Sequence, residues 1–282
     1  MQQEISKKSP LLDEAGNLSQ SGWSRDMLMA YHRDQVKASG FRIKEWDYYC
    51  VLNDDEGLSF TISDLGYIGF IAATYFDFNK GVETSNSITT ILPLGKLNLP
   101  ESSSTGDVIF KHKDLELKFL TISAKRVLEV HWKKFAEGKD LKGRIELTQP
   151  PADDSMVIAT PFKDSPKAFY YIQKVSCMPA NGELVFGEKR ISFLPESAFG
   201  VLDWGRGVWT YSNTWYWGSA SGMLEGKRFG LNIGYGFGDT SAATENMILY
   251  DGQAHKLDHV RFHIPEDSYL SPWRFSSNDN RL

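Results

Sequence analysis

Asp203 and Arg206 flank Trp204 in the run Leu202-Asp203-Trp204-Gly205-Arg206-Gly207. A carboxylate and a guanidinium this close, beside glycines, could close a bidentate ion pair at the mouth of a strand. A carboxyl group held against an indole could instead keep its proton and act as a general acid. The plainer alternative is favoured: an Asp-Arg clasp that pins a tight turn, with Gly205 and Gly207 supplying unusual backbone angles. Asp239 and Glu245, the latter in Thr244-Glu245-Asn246, lie at strand ends and could converge with Asp203 at one barrel mouth. Carboxyl groups in unlike environments suit acid-base work on a double bond or an ether. Asp, Ser and Asn at strand ends are also ordinary turn residues, and spacing favours that reading narrowly. The catalytic candidates are therefore Asp203, Asp239 and Glu245.

Around them the chain gathers aromatic rings. Trp204, Trp209, Trp215 and Trp217 supply four of the eight tryptophans. Read at period two, Trp209, Tyr211, Asn213, Trp215 and Trp217 share one face of an extended strand, with Val208, Thr210, Ser212 and Thr214 on the other. That much aromatic area must be buried against a core or around an apolar ligand. A second stretch, Arg228 to Gly238, puts Phe229, Leu231, Ile233, Tyr235 and Phe237 on one face and mostly glycine on the other. If the two stretches pair as a hairpin, both aromatic faces fall on one side. Core packing is favoured there, with an apolar cavity as the rival. The ligand-binding candidates are Trp204, Arg206, Trp209, Tyr211, Trp215, Trp217, Tyr235 and Asn246.

Other chemistries find less support. His255, His259 and His263 alternate with Arg261 and tempt one toward a metal site. Val260, Phe262 and Ile264 opposite look core-directed, and Leu257 hints at a bulge, so a solvated polar face is favoured and no metal is expected. There is no nucleophile elbow, HExxH, P-loop or dinucleotide fingerprint, and no cofactor is expected.

Length and composition set the frame. With 282 residues, 41% hydrophobic and 24% charged, the chain can bury a sizeable core. A net charge of -5 without basic runs argues against a nucleic-acid partner. The apolar stretches are too short to span a bilayer and no secretory leader is visible, so a cytoplasmic protein without stable membrane insertion is expected. Cys50 and Cys177 are expected as reduced thiols. Strands are expected at Glu45 to Leu52, Leu58 to Ile62, Tyr67 to Phe78, Asp107 to Phe110, Leu115 to Ile122, Val127 to Lys133 and Gly143 to Leu147. One helical stretch is expected near Met27 to Ala38. Pro150-Pro151-Ala152-Asp153-Asp154 marks a boundary between an N-terminal half, 1–155, and a C-terminal half, 156–282. The abrupt stop at Leu282, just after a turn, suggests that further strands follow.

Several blocks resemble one family. Leu11 to Leu18 with Gly22-Trp23-Ser24-Arg25, Lys44 to Tyr49, Ile62 to Tyr67, Leu202 to Gly207, and Gly236 to Asp239 with Thr244 to Asn246 are similar, in order, to the domain-of-unknown-function family numbered 2804. The resemblance implies a chain that runs on past residue 282, and it leaves the activity open. More remotely the chain looks like the two-barrel lipocalin-type group that includes carotenoid hydratases and tocopherol cyclase. The expected fold is all-β, with two consecutive antiparallel lipocalin-like barrels or strongly curved sheets behind a loop and short-helix segment. Three functions stay open. The first is a binder of an apolar or amphipathic small molecule. The second is an enzyme that protonates, hydrates or cyclises a lipid-like or isoprenoid-like substrate with Asp203, Asp239 or Glu245 as acid. The third is a structural or interaction protein with filled barrels.

Overall fold

Apolar and polar residues alternate at period two over most of the chain, and the backbone follows. The computed structural model describes residues 2–163 and 165–282, and antiparallel strands dominate it. Three short strands come first: Ser9–Pro10 (β1), Gly22–Ser24 (β2) and Met29–Ala30 (β3). Next are Ile43–Leu52 (β4), Glu56–Asp64 (β5), Ile68–Asp77 (β6), Val82–Ile91 (β7), Val108–Lys111 (β8), Leu115–Ile122 (β9), Lys125–Ala136 (β10) and Lys139–Thr148 (β11). Met156–Phe162 (β12), Ser165–Phe186 (β13), Lys189–Phe193 (β14) and Phe199–Val208 (β15) complete the main sheet. Tyr216–Leu224 (β16), Lys227–Tyr235 (β17), Met247–Tyr250 (β18) and Gln253–Lys256 (β19) form a second sheet, followed by the ribbon Val260–His263 (β20) and Arg274–Ser277 (β21). The described residues contain no helix long and apolar enough to cross a membrane.

The main sheet has thirteen strands and the path β7-β6-β5-β4-β15-β13-β11-β10-β9-β8. It curls into a half-barrel because β13 serves two neighbourhoods. Its first part pairs with β12 and β15, its last part with β11 and β14. Between them the register slips after Val175, and Cys177 sits in the left-handed region at φ 59°. The expected division at residue 155 falls in the β11–β12 connection, and the main sheet draws strands from both sides of it.

The inner side of the curl is filled. Tyr49 meets Phe119 with ring centroids 4.9 Å apart, and Phe135 meets Phe186 at 5.5 Å. Alternation along β15 divides the candidate residues between the two sides. Trp204 and Arg206 point inward and are fully buried, whereas Asp203, Gly205 and Gly207 face outward. The expected Asp203–Arg206 pair therefore does not form: an odd spacing on a strand sends the two side chains to opposite faces. Arg206 instead donates to Asp47 Oδ1 at 2.9 Å and to the carbonyls of Trp46 at 2.8 Å and Pro100 at 2.7 Å. Its guanidinium lies 4.2 Å from the centroid of the Trp204 ring.

Two further expectations are corrected. Met27 to Ala38 is not an α-helix but contains β3 and a single 3-10 turn, Arg33–Gln35. Tertiary contacts overrode local propensity: the Tyr171 hydroxyl donates to Met29 O at 2.7 Å and the Tyr31 hydroxyl to Glu45 Oε1 at 2.8 Å, which hold this segment extended. The strand expected from Val208 to Trp217 is broken. β15 ends at Val208 and β16 starts at Tyr216. Between them Asn213 Nδ2 donates to Thr210 O and the Thr210 hydroxyl donates to Asn213 Oδ1, each at 2.8 Å, a turn stitched by its own side chains.

Gly205 is where the main sheet and the site meet. A Cβ there would lie 1.9 Å from a ring atom of Trp46, its cross-strand neighbour on β4. The indole occupies the space that any side chain at 205 would need. Gly205→Ala should therefore destabilise the fold by about 1–3 kcal/mol through overpacking and shift the near-ultraviolet dichroism of Trp46. Denaturant melts of both proteins test this, and equal midpoints with an unchanged spectrum would refute it.

Candidate functional site

On the outward face of the main sheet, the residues of β4, β5, β6, β13 and β15 that share a side form a shallow floor. Trp46 and Tyr48 come from β4, Thr61 and Ser63 from β5, Phe70 from β6, Tyr170 and Lys174 from β13, and Asp203 from β15. The turn after β15 and the second sheet cover this floor with Trp209, Trp215, Trp217, Phe237 and Glu245. Between the two layers lies a cavity of about 650 Å³. That volume is in the range of small-molecule sites.

One wall is a continuous cluster of rings. Trp46 stacks on Tyr170 with centroids 6.0 Å apart and meets Trp209 edge-on at 5.2 Å. Trp209 meets Trp215 at 5.9 Å and Phe237 at 4.9 Å, and Phe237 closes the circuit on Tyr170 at 4.5 Å. Each edge-to-face contact adds modestly to the burial of its rings.

One polar cluster interrupts this apolar surface. Lys174, only 2% exposed, places its ammonium 2.7 Å from Asp203 Oδ2 and 3.3 Å from Glu245 Oε2. The same ammonium lies 4.6 Å from the centroid of the Trp217 ring. Burial alone would push the Lys174 amine toward neutrality, but the two carboxylates outweigh it and hold its pKa above that of an ordinary lysine. Asn232 ties the cluster to the second sheet, donating to Glu245 Oε2 at 3.1 Å and accepting from the Trp217 indole at 2.8 Å. Gly234 makes room for it, because a Cβ there would lie 2.2 Å from Glu245 Oε1. Tyr170 faces the same cluster. Its phenol is held protonated well above the ordinary range, first by burial and then by the charges of Glu245 and Asp203.

Of the residues singled out from sequence, Asp203, Glu245, Trp209, Trp215 and Trp217 come together here. The others do not line the cavity. Trp204 and Arg206 are on the far side of the sheet, and Tyr211 is fully exposed on the turn. Tyr235 is half-exposed and stacks on Phe262 with centroids 5.7 Å apart. Asn246 is buried and structural, accepting from Gly234 N at 2.8 Å and donating to Asp258 O at 3.0 Å. Asp239 lies apart on a loop, where the Ser241 backbone N–H donates to it at 3.0 Å and lowers its pKa. His255 belongs to β19 and His263 to β20, so they do not share a strand.

The aromatic faces also pair differently from expectation. β17 pairs with Tyr216–Leu224, and the register sets Trp217 opposite Gly234 and Tyr216 opposite Tyr235. Trp217 therefore shares the glycine face, not the Phe-Tyr face. Reasoning from sequence missed Lys174, Trp46, Tyr48 and Tyr170. A lysine in the apolar run Ala168 to Met178 was a usable signal, because such a charge is buried only when paired.

Behind Glu245, Lys256 donates to Thr244 Oγ1 at 2.8 Å, to Asn246 O at 3.2 Å and to Leu257 O. Burial lowers its pKa to about 7, and the charges of Asp258 and Asp279 only partly oppose the shift.

Comparison with known proteins gives a fold and a family. A Nitrosomonas europaea protein provisionally assigned as an ATTH has a similar solved structure, with TM-score 0.52, 12% identity, and coverage of 90% of this chain and 77% of that one. That likeness is one of fold. Kievitone hydratase from Nectria haematococca is looser still, with TM-score 0.41, 7% identity, and coverage of 83% and 72%. A search of curated sequences finds no match. A family model described as a domain of unknown function (DUF2804) matches residues 2–282.

Two outcomes follow from the buried lysines. Lys174→Met leaves two buried carboxylates without their cation and should cost about 3–5 kcal/mol, measured by denaturant unfolding at pH 7. A loss below 1 kcal/mol would show that the cluster is not holding the layers together. For Lys256 the folded pKa lies below the unfolded one, so between about pH 7 and the ordinary lysine range the unfolded state binds more protons. Wild-type stability, taken relative to Lys256→Met, should rise as pH climbs through that window and level off below pH 7. A pH-independent difference between the two proteins would refute the assignment.

Proposed function

We propose that this chain, which belongs to the domain-of-unknown-function family DUF2804, binds one apolar or amphipathic small molecule in the cavity between its two sheets. The observation that carries this is the continuous aromatic wall of Trp46, Tyr170, Trp209, Trp215 and Phe237 beside a cavity of about 650 Å³, with one polar cluster at Lys174, Asp203 and Glu245. Apolar walls with a few convergent polar groups suit a ligand whose hydrocarbon part is buried and whose orientation is set at one end. The inner side of the curl is packed with side chains, so a filled barrel and a ligand cavity coexist here on opposite faces of one sheet. The occupant is not a nucleic acid, since the lining carries no basic stripe. A cytoplasmic setting belongs to the same reading, and the free thiols of Cys50 and Cys177 support it.

A second reading, proton transfer to a bound lipid-like or isoprenoid-like molecule, is favoured by one observation. Tyr170 presents a phenol held protonated beside the polar cluster. Asp203 and Glu245 are less suited to the part of acid, since both are ion-paired with Lys174 rather than set against a purely apolar wall. Tyr170→Phe would separate the readings, abolishing turnover while weakening affinity only severalfold.

Because Trp209, Trp215 and Trp217 line the cavity, their fluorescence should report the ligand. Titration with a panel of terpenoids, sterols and fatty alcohols should give saturable quenching for at least one class. Trp217→Ala should weaken that binding by about tenfold, a change of roughly 1.4 kcal/mol. A flat response across the panel would overturn the proposal.

A further inference from the structure

We propose that the occupant of this cavity carries a hydrogen-bond-donating head, a hydroxyl or a protonated amine, and that molecules ending in a carboxylate are rejected. The inference rests on the binding reading above and adds the chemistry of the ligand's polar end. The charged residues lining the cavity are Lys174, Asp203 and Glu245, one cation against two anions. The lysine is already committed. Its ammonium faces Asp203 at 2.7 Å, Glu245 at 3.3 Å and the π face of Trp217 at 4.6 Å, which leaves no side free to greet an anion.

What remains unspent is acceptor capacity. Asp203 Oδ1 is buried and has no hydrogen-bond partner among the described residues. Glu245 meets both Lys174 and Asn232 through Oε2, which leaves Oε1 at the bare backbone of Gly234. A ligand that brings a donor to Glu245 Oε1 uses this capacity, whereas Asp203 contributes charge, since its unpartnered Oδ1 is closed off from the cavity. Neighbouring cations do not offset the surplus negative charge. Lys256, behind Glu245, is driven toward its neutral form by burial, and Arg206, across the sheet, is held by Asp47. An anionic head would therefore meet like charge in a poorly solvated site. Tyr170 adds the complementary half: its protonated phenol can donate to the oxygen of the same hydroxyl that donates to Glu245.

The test uses three probes of one chain length, 1-decanol, decylamine and decanoate, titrated into the full chain at pH 7 and followed by tryptophan fluorescence and calorimetry. Decanol and decylamine should bind at least tenfold more tightly than decanoate. Asp203→Asn, which keeps the shape and removes the surplus charge, should shrink that gap severalfold by improving decanoate. Glu245→Gln should act in the same direction and serves where Asp203→Asn fails to fold. Decanoate binding as tightly as decanol, or a gap unmoved in both variants, would overturn the head-group assignment and leave the binding reading intact. Silence toward all three probes would overturn the head-group assignment, and the binding reading falls with it where the terpenoids and sterols also give no quenching.

Discussion

Much in this molecule depends on one ammonium group. Lys174 projects from β13 on the outward face of the main sheet, and its two carboxylate partners come from different layers. Asp203 belongs to the neighbouring strand β15, whereas Glu245 precedes β18 of the second sheet. A charge this deeply buried is tolerable only when paired, so the ion cluster fixes where the second sheet sits over the first. The cavity is the space left between layers so joined. Trp217 and Asn232 extend the same constraint, since one shields the ammonium and the other hands a hydrogen bond to Glu245.

The opposite face of the same sheet solves a different problem. There Arg206 is completely buried and held by Asp47, by backbone carbonyls and by the Trp204 ring. Desolvation raises the pKa of Asp47 even so, with the Arg206 charge opposing it. Rings such as Tyr49 and Phe119 pack that side. One sheet thus carries a packed interior on one side and an aromatic-walled cavity on the other, and the pleat keeps the two sets of side chains apart. Gly205 and Trp46 show how tightly that surface is tuned, since the indole lies where a side chain would stand.

Much of the fold was legible. Alternation located β4, β5, β6, β8, β9, β10 and β11 to within a few residues, because each buries one face against the core. β7 escaped notice: its Thr- and Ser-rich run, Val82–Ile91, lies at the end of the main sheet and is largely solvated. The site was half legible. Trp209, Trp215 and Trp217 were found for their apolar area, and Asp203 and Glu245 for their charge. Lys174 was missed because its carboxylate partners lie far from it in sequence. Tyr211 and Tyr235 were misplaced because a turn and a one-residue register relation decide the face a ring occupies, and neither leaves a local trace.

The amino-acid order by itself determined that this chain would be a β protein with an aromatic-rich C-terminal half, since period-two patterning and ring content are local properties. It did not show that Asp203 and Arg206 share one strand, where their odd spacing keeps them from pairing. Tertiary structure alone decided which acids converge, which rings enclose space, and that the space lies outside the curl. Those outcomes depend on the break between β15 and β16, on the register of β16 against β17, and on a lysine on β13 meeting a glutamate from the second sheet. Contacts between residues distant in sequence are set by the packing of whole sheets, which no short stretch of residues encodes.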